Sequence, residues 1–431
     1  METAKPPGVS SRSYCVSDAF NKISIIGMGY IGLPTAAILA NQGIEVVGVD
    51  KNPKVVKTIN QGQIHIVEPD LDTLVRKMVK AGKLRAAEQV EASQAFIIAV
   101  PTPLKSDNTP DMTFVESAAR AIAPVLQKNN LVILESTSPV GGTESVANWL
   151  AEERPDLTFP HQAGDLADIH IAHCPERVLP GHILRELVGN ARIVGGMTAK
   201  CSVRATALYK TFVKGECYTT DARTAEMAKL TENAFRDVNI AFANEISLIC
   251  DQLDINVWNL IDLANHHPRV NILRPGPGVG GHCIAVDPWF LVHSSPEHSK
   301  LIHTARTVND SKPQYIINKV KRIADSLKAP VIACMGLAFK ADIDDLRESP
   351  SVKIVKQLAE ADIGDILAVE PHIDALPEDF QNLKNVSLTG FEKALEQANI
   401  ILLLVDHQVF SNVDPVALKE KIIIDTKGLW A

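Results

Sequence analysis

One cysteine of the 431-residue chain stands where it could act as a nucleophile. Cys283 follows the run GPGVGG at 276–281, whose glycines and prolines form a rigid loop that a ligand can approach closely, and Asp287 comes four residues later. A thiolate can attack a substrate carbon directly, whereas most isolated cysteines are inert small apolar residues. A metal bound by His282 and Cys283 would need further ligands at a suitable spacing. The sequence offers none, so we predict no metal site.

A long helix is predicted over residues 224–253. The segment contains neither Gly nor Pro, and its apolar residues recur at helical spacing. This length exceeds that of most globular helices and suits a central connector or the core of a dimer.

Three polar residues share one face of this helix. Lys229, Asn233 and Arg236 lie at helical spacing, so two cations and an amide could point together at an anionic or carbonyl-bearing ligand. The alternative is a solvated face, on which Glu226 and Glu232 would pair with the cations.

A dinucleotide-binding pattern opens the chain. The apolar run 22–28 ends in GMGYIG, and a helical pattern and a second strand ending in Asp50 follow. Gly27 permits the tight turn, Gly29 lets the backbone approach a pyrophosphate, and Gly32 allows close packing of helix on strand. The helix N-terminus attracts phosphate charge. Asp50 can accept hydrogen bonds from a ribose diol and would repel a 2′-phosphate, which predicts NAD rather than NADP.

Hydroxyl and charged residues follow later strands. Thr102, Thr137 and Thr143 come after strand ends, at the edge of a parallel sheet where ligands bind. They could contact cofactor or substrate, or they could cap helices. The pair Glu176-Arg177 also follows a strand-like run, although such pairs are usually solvated.

The alternation of strands and helices predicts an α/β fold. We expect two Rossmann-like, doubly wound parallel-sheet domains joined by the long central helix, with a ligand cleft between the sheets. Further helices are expected over 298–326 and from about Ser349. The predicted strands are 22–28, 44–50, 95–100, 131–135, 169–180, 330–339, 363–372, 398–407 and 421–428.

Two cations lie in the loop after the strand 330–339. Lys340 and Arg347 stand at the carboxyl end of that strand, where they could hold a phosphate or a carboxylate. Solvated loop charges are the alternative interpretation.

Composition excludes several classes of protein. A net charge of −8 leaves no global basic field for nucleic acid, and no apolar run approaches the roughly 18 residues that span a bilayer. The seven cysteines are scattered and never form a CxxC pair, which favours reduced thiols in a cytoplasm. Residues 1–20 lack the apolar core of a signal peptide, so we expect a flexible extension there.

Together these motifs resemble the UDP-glucose/GDP-mannose dehydrogenase family over residues 21–431. Within the family, CPERVLPG, TENAFRDVNIAFANE and HHPRVNI are most similar to the bacterial members that act on UDP-N-acetyl-D-mannosamine. Arg177 stands where members acting on UDP-glucose usually carry an aromatic residue. The blocks that carry the family resemblance are GMGYIG with Asp50, VPTP, ESTSPVGGT, CPERVLPG, AEMAKLTENAFRDVNIAFANE, GPGVGGHCIAVDP and LAFKADIDDLRES.

The resemblance implies an NAD-dependent, four-electron oxidation of the sugar C6 hydroxyl to a carboxylate, through a thiohemiacetal and a thioester on Cys283. The expected product is UDP-N-acetyl-D-mannosaminuronate, for a cell-surface polysaccharide such as enterobacterial common antigen. UDP-N-acetylglucosamine, its galacto epimer or UDP-glucose are alternative substrates. A non-catalytic NAD or nucleotide-sugar binder is a further alternative, which the intact Cys283 disfavours. The resemblance also implies a cytoplasmic homodimer formed through the central helix, without nucleic-acid or membrane partners.

The resemblance implies roles for individual residues, and His267 and Arg269 would reach the ligand from the second subunit. The implied domains are an NAD-binding domain over 21–210, a central segment over 211–310 and a UDP-sugar-binding domain over 311–431. The implied catalytic residues are Cys283, Lys229, Asn233, Asp287, Thr137 and Glu176. The implied NAD contacts are Gly27, Gly29, Tyr30, Ile31, Gly32, Asp50, Thr102, Thr143 and Arg347. The implied substrate contacts are Arg177, Val178, Lys229, Asn233, Arg236, His267, Arg269, Gly280, Phe339 and Lys340.

Overall fold

The computed structural model of the chain describes residues 20–179, 181–281 and 283–430. The chain forms two compact units, which divide between Leu230 and Thr231. The predicted extension over 1–20 lies outside the described residues except for Phe20. The first unit contains β1 (Lys22–Ile26), α1 (Gly32–Asn41), β2 (Glu45–Val49), α2 (Pro53–Asn60), α3 (Leu71–Lys80), β3 (Leu84–Ala87), β4 (Ala95–Ile98), α4 (Thr113–Ile122), β5 (Leu131–Leu134), α5 (Gly142–Glu153), α6 (Pro160–Ala163), β6 (His170–His173), α7 (Ile183–Gly189), β7 (Arg192–Gly196), α8 (Ala199–Tyr209) and β8 (Cys217–Asp221).

An eight-stranded sheet organises the first unit, in the order β3-β2-β1-β4-β5-β6-β7-β8. The central strands are short apolar runs, such as AFII in β4 and LVIL in β5, and are wholly buried. One apolar cluster packs α1, α3, α7 and α8 on the sheet, and a second packs α4 and α5. Strands that are buried on both faces read as continuous apolar runs, which is why the sequence pattern predicted them.

The sheet departs from the expected parallel arrangement at one pair. β6 and β7 run antiparallel, with Ala172 opposite Gly196, whereas the other neighbouring strands are parallel. The predicted strand 169–180 is also too long, because β6 ends at His173. Pro175, two residues later, has no backbone N–H for a ladder bond. Residues 174–179 therefore form a loop at the strand end.

Some strands had no strong signal in the sequence. β3, β7, β8 and β11 (Val386–Leu388) are absent from the predicted set. β8 has the sequence CYTTD and lies at the sheet edge, half-buried to exposed. An edge strand of this kind lacks the apolar run on which the prediction depended.

The long central helix is confirmed. α9 (Ala222–Gln252) has 31 residues and runs without interruption. Asp221 caps its start, accepting hydrogen bonds from Thr224 N at 2.9 Å and from Thr224 Oγ1 at 2.7 Å. A carboxylate at this position also complements the positive end of the helix dipole.

The second unit contains a five-stranded parallel sheet in the order β11-β10-β9-β12-β13. This order repeats β3-β2-β1-β4-β5 of the first unit, so the predicted pair of doubly wound sheets is confirmed. The elements after α9 are α10 (Val257–Asn265), α11 (Asp287–Ser294), α12 (Lys300–Ala324), β9 (Val331–Met335), α13 (Pro350–Glu360), β10 (Asp365–Val369), β11, α14 (Phe391–Gln397), β12 (Ile400–Leu403), α15 (Pro415–Leu418) and β13 (Ile422–Asp425).

The predicted helix start near Ser349 is confirmed. Ser349 Oγ accepts a hydrogen bond from Ser351 N at 3.2 Å and donates one to Leu337 O at 2.6 Å. The cap thereby ties the start of α13 to the turn after β9. Among the described residues, no helix combines the length and apolar character that crossing a bilayer requires.

Candidate functional site

The glycine turn after β1 has the geometry that the sequence predicted. Gly27 has φ +95°, and a Cβ there would lie 2.5 Å from Ala99 O. A Cβ at Gly32 would lie 1.8 Å from Gly27 O, so α1 can pack on the turn only with glycine at that position. Gly29 has open space on the side where a Cβ would point. The turn therefore leaves its outer backbone approachable by a phosphate.

Asp50 lies beside this turn. Its Oδ2 accepts a hydrogen bond from Met28 N at 3.1 Å, and its Oδ1 accepts one from Asn52 N at 2.9 Å. The residue is half-buried, and each carboxylate oxygen can accept further hydrogen bonds. A dinucleotide on the glycine turn could thus place its ribose diol against Asp50. The residues present fit NAD.

The predicted threonine contacts differ in exposure. Thr143 is fully buried at the start of α5, where its N and Oγ1 donate to Glu226 Oε1 at 2.7 and 2.5 Å. Gly141 N donates to Glu226 Oε2 at 2.7 Å. Thr102 and Thr137 are half-buried after β4 and β5.

Glu226 therefore does not pair with cations on the exposed face of α9. It is 1% exposed, and burial raises the pKa of its carboxyl despite the three donors of α5 and its N-terminal turn. The solvated-face alternative for the polar stripe is wrong for this residue, because its carboxylate caps α5 instead.

The polar stripe of α9 is largely buried. Lys229 is 9% exposed and Asn233 6%, whereas Arg236 is exposed. Near Lys229, burial lowers the pKa of His173 to about 3, and the Lys229 charge acts in the same direction. The imidazole is consequently neutral at physiological pH, so it does not add a second positive charge beside the lysine.

Asn233 and Asp287 form a buried pair in the second unit. Asn233 Nδ2 donates to Asp287 Oδ2 at 2.6 Å, and Asp287 is 2% exposed. Asp287 is the first residue of α11, and its N donates to Cys283 O at 2.9 Å, as does Val286 N at 3.1 Å. The structure therefore places Cys283, Asp287 and Asn233 at one helix start.

Cys283 is exposed, unlike most of the other described cysteines. Cys283 lies in the turn four residues before Asp287, where its carbonyl accepts the hydrogen bonds that begin α11, and the positive end of the helix dipole stabilises negative charge near this turn. An exposed thiol in this setting fits a nucleophile better than a packing residue. His282 lies outside the described residues.

The glycine loop before Cys283 packs on the loop after β9. A Cβ at Gly280 would lie 2.6 Å from Glu348 O and 3.0 Å from Phe339 Cβ. Gly281 has φ +82° and faces the Phe339 ring. Two predicted substrate contacts, Gly280 and Phe339, thus lie together, and the adjacent Lys340 is exposed.

Arg347 has a local partner. Its Nε and Nη2 donate to Asp345 Oδ1 and Oδ2 at 2.8 and 2.6 Å, and both residues belong to the loop between β9 and α13. The guanidinium is half exposed. A ligand could still reach it, but it would meet a cation whose charge Asp345 partly neutralises.

The remaining predicted contacts are at the surface or partly covered. His267 and Arg269 are exposed after α10, where Arg269 N donates to His267 Nδ1 at 3.3 Å. Tyr30, Ile31 and Val178 are half-buried.

The loop after β6 is held from several sides. Glu176 Oε2 accepts a hydrogen bond from Arg192 Nη2 at 2.7 Å, and Oε1 accepts one from Arg177 N at 2.6 Å. Glu186 accepts a hydrogen bond from Leu179 N at 2.8 Å. Glu176 and Arg177, which the sequence suggested as solvated, therefore belong to an ordered network.

A cluster of two histidines and two acids lies at the carboxyl edge of the second sheet. His407 Nε2 lies 3.0 Å from Glu370 Oε2, and its Nδ1 accepts a hydrogen bond from Asp342 N at 3.0 Å. The His372 ring is tilted by 46° against the His407 ring at a centroid distance of 5.2 Å, and Asp342, His372 and His407 are of the residue types that bind metals. Both His407 nitrogens already have protein partners, so the cluster holds the loop after β9 without needing an ion.

Sequence reasoning missed the buried charges that support the site. The missed residues are Glu135, Arg192 and Glu370, and Glu226 was considered only as a partner on a solvated face. Glu135 in LVILE, Arg192 in ARIVGG and Glu370 in LAVE are charged residues inside or directly beside an apolar run. A charge in that context requires a buried partner, which is the signal that could have identified them.

Three sequence profiles of the UDP-glucose/GDP-mannose dehydrogenase family match the chain. The NAD binding domain of the family matches residues 21–213, the central domain matches 223–311 and the UDP binding domain matches 333–431. The NAD-binding prediction for the first sheet is thereby confirmed.

Curated proteins and solved structures are similar over nearly the whole chain. The NDP-N-acetyl-D-galactosaminuronic acid dehydrogenase of Ralstonia nicotianae is 61% identical, covering 96% of this chain and 97% of its own. The UDP-N-acetyl-D-mannosamine dehydrogenase of Yersinia pestis is 60% identical, covering 96% and 100%. The structure of the UDP-D-ManNAc dehydrogenase of Pyrococcus horikoshii matches with a TM-score of 0.84 and 39% identity, covering 95% of this chain and 96% of that one.

Proposed function

We propose, because the chain belongs to the UDP-glucose/GDP-mannose dehydrogenase family, that it oxidises UDP-N-acetyl-D-mannosamine at C6 to UDP-N-acetyl-D-mannosaminuronate. The balanced reaction consumes the C6 alcohol, two NAD⁺ and one water, and yields the carboxylate, two NADH and three protons. The observation that carries the proposal is the exposed Cys283 beside the buried Asn233–Asp287 pair. An ordinary two-electron dehydrogenase has no use for such a nucleophile.

In the proposed mechanism, the Cys283 sulfur adds to C6 of the aldehyde formed by the first oxidation. A C–S bond forms, the carbonyl oxygen takes a proton, and the product is a thiohemiacetal. Lys229 and Asn233 stabilise negative charge on that oxygen. When bound, NAD accepts a hydride from C6 in each of the two oxidations.

The second oxidation leaves a thioester on Cys283. Water adds to its carbonyl carbon, the C–S bond breaks, and the sulfur leaves as the thiolate while the uronate departs. Asp287 accepts a proton from the attacking water or the thiol. Its hydrogen bond from Asn233 at 2.6 Å orients the carboxylate for that role.

The binding roles remain as the family resemblance implies. We propose the segments 21–210, 211–310 and 311–431 as the functional domains, with Thr137 and Glu176 near the reacting carbon. The proposed NAD contacts are the glycine turn, Tyr30, Ile31, Asp50, Thr102, Thr143 and Arg347. The proposed sugar-nucleotide contacts are Arg177, Val178, Lys229, Asn233, Arg236, Gly280, Phe339 and Lys340, with His267 and Arg269 from a second copy of the chain.

A homodimer through α9 is part of the proposal. Phe235, Phe242 and Ile249 recur every seven residues along α9 and are 67%, 50% and 45% exposed. Large apolar side chains at this spacing form one stripe on a helix, which a second copy could cover. We also propose a cytoplasmic location and a role in cell-surface polysaccharide synthesis, of the enterobacterial common antigen type.

A second substrate has a specific observation in its favour. The relative from Ralstonia nicotianae, at 61% identity, is named NDP-N-acetyl-D-galactosaminuronic acid dehydrogenase. UDP-N-acetyl-D-galactosamine is therefore the alternative substrate. The sugars differ in hydroxyl and acetamido stereochemistry, whereas the C6 chemistry is the same.

The experiment is to measure NADH formed per sugar consumed. The panel contains UDP-N-acetylmannosamine, UDP-N-acetylgalactosamine, UDP-N-acetylglucosamine and UDP-glucose. Two NADH from the mannosamine substrate alone would support both substrate and mechanism. Two NADH from another sugar would overturn the substrate and keep the mechanism, and one NADH per sugar would overturn the thioester.

A further inference from the structure

Behind Glu176 lies a buried network of charges that neither the family resemblance nor the comparisons assign. Arg192, in β7, is 4% exposed and its guanidinium lies 4.8 Å from the centre of the Tyr209 ring. The guanidinium nitrogen Nη2 of Arg192 donates to Glu176 Oε2 at 2.7 Å, and the other terminal nitrogen, Nη1, lies 3.4 Å from Glu135 Oε1. One guanidinium is therefore shared by two carboxylates, unequally.

Glu135 occupies the deep end of this network. It follows β5 and is 2% exposed, and Tyr209 Oη donates to its Oε1 at 3.2 Å. Its Oε2 has no hydrogen-bond partner within the described parts of the chain. A buried carboxylate with one unpaired oxygen is a poor anion, because desolvation penalises its charged form.

The charge balance makes Glu135 the residue of this network whose ionisation state changes with pH. Arg192 carries one positive charge, so two ionised carboxylates leave the buried network with a net negative charge. Burial, followed by the charge of Glu176, raises the pKa of Glu135 to about 7. The other groups facing it are Arg192, Tyr209 and the Cys174 thiol, whose pKa burial raises to about 12.

We propose that Arg192 and Glu135 are positioning residues for Glu176, and that the ionisation state of Glu135 sets how firmly Arg192 holds the loop carrying Glu176 and Arg177. With Glu135 protonated, Glu176 is the only one of the two carboxylates with which the Arg192 guanidinium forms an ion pair. With Glu135 ionised, the guanidinium is drawn towards the deeper carboxylate and its bond to Glu176 weakens. This inference rests on the proposed function, in which both loop residues serve the sugar site.

The first test is the pH profile of NADH formation with UDP-N-acetyl-D-mannosamine. We expect kcat/KM of the wild type to show an inflection near pH 7 that disappears in Glu135→Gln, which keeps the shape of the side chain and removes the charge. The matched control Glu152→Gln, an exposed glutamate of α5, should retain the inflection. A wild type without the inflection, or an unchanged profile in Glu135→Gln, would overturn the proposal.

A second variant separates positioning from a merely structural role. Arg192→Lys keeps the charge but loses the two-pronged geometry, so we expect about a tenfold higher KM for the UDP-sugar. The Kd of NAD should stay the same, because the glycine turn is untouched. An unchanged KM in the folded variant would contradict the role of Arg192.

A readout independent of activity distinguishes failure of this inference from failure of the proposed function. Because the pKa of Glu135 is raised in the folded state, the wild type should lose stability as pH rises from 4.5 towards and through 7. The Tm of Glu135→Gln relative to wild type should therefore increase by about 3 °C between pH 5 and pH 8.5. A constant Tm difference would overturn the proposal even if NADH formation is as expected, and absence of NADH formation alone would count only against the proposed function.

Discussion

The turns after β1 and after β9 share one backbone plan but treat their acidic residue differently. Gly27 N donates to Val49 O at 2.8 Å, and Gly336 N donates to Val369 O, also at 2.8 Å. Both glycines have positive φ, +95° and +93°. In each unit an acid then follows the neighbouring strand.

Asp50, the acid beside the first turn, remains accessible to a ligand, whereas Glu370, the acid beside the second turn, is enclosed by protein groups. Asp50 receives one hydrogen bond on each oxygen and is half-buried. Glu370 is 5% exposed, and its Oε2 contacts Leu337 N at 2.8 Å, Ala338 N at 3.0 Å and His407 Nε2 at 3.0 Å. A ribose diol could join Asp50, but at Glu370 it would have to displace the protein's own groups.

The difference shows that topology alone does not determine what a doubly wound sheet binds. The first turn keeps glycines at the positions that let a pyrophosphate approach, and its acid is accessible. In the second turn the backbone N–H groups of both Leu337 and Ala338 donate to Glu370, whereas in the first turn only Met28 N donates to Asp50, so the acid of the second turn stabilises the fold. The loop after β9 thus remains available for a different ligand, in line with its match to the UDP binding domain of the family.

The largest effect is expected where neither turn is altered. Cys283→Ala should abolish uronate formation, a loss of at least about a thousandfold, because no sulfur remains to form the thioester. The Kd of NAD should hardly change, which assigns cofactor binding to the turn and chemistry to the cysteine. Uronate made by this variant at the wild-type rate, measured by chromatography, would refute the nucleophile.

The next largest effect is expected in the glycine turn. Gly32→Ala places a Cβ 1.8 Å from Gly27 O, so α1 must move away from the turn. We expect NAD affinity to fall about a hundredfold, measured by calorimetry, together with a lower Tm. Gly29→Ala is the matched control for stability, because its Cβ points into open space: its Tm should stay near that of the wild type. Equal Tm values for all three proteins would contradict the packing role of Gly32.

The two acids give the direct comparison. Asp50→Asn should weaken NAD binding about tenfold and raise the relative use of NADP, while Tm changes little. Glu370→Gln should leave NAD affinity unchanged and destabilise the protein by about 2 kcal/mol, because a buried acceptor of several hydrogen bonds loses its charge. Calorimetry would measure the NAD affinity of both variants, and thermal melts would measure their stability. Similar effects of the two variants on NAD affinity would remove the distinction between open and closed turns.

The smallest effect concerns pH. Hydrogen bonds from His407, Leu337 and Ala338 outweigh burial and lower the pKa of Glu370 below 4.5. A depressed pKa stabilises the folded state above pH 4.5, and that stability is lost as pH falls through the folded-state value. The Tm difference between wild type and Glu370→Gln should thus be larger at pH 6 than at pH 3.5. A difference that grows on acidification would show that Glu370 is not held as an anion.

Much of the fold could be predicted because its signals are local. The strand, turn and helix around Gly27 and Gly32, and the uninterrupted helix α9, depend on residues within a few positions of each other. Cys283 and Asp287 were identified in the same way, from a glycine loop and a spacing of four. The antiparallel pairing of β6 with β7 had no such signal, because strand direction depends on the path of the intervening chain.

The sequence by itself determined the two sheets, the open glycine turn and the types of residue that could carry out the chemistry. Only the tertiary structure decided which partners the buried charges meet, since Arg192 reaches Glu135 across 57 positions and the Thr143 hydroxyl reaches Glu226 across 83. The same holds for His407, which forms a hydrogen bond with Glu370 from 37 positions away. Local patterns carry no information about such partners, whereas the cost of burying an unpaired charge forces the folded chain to bring them together.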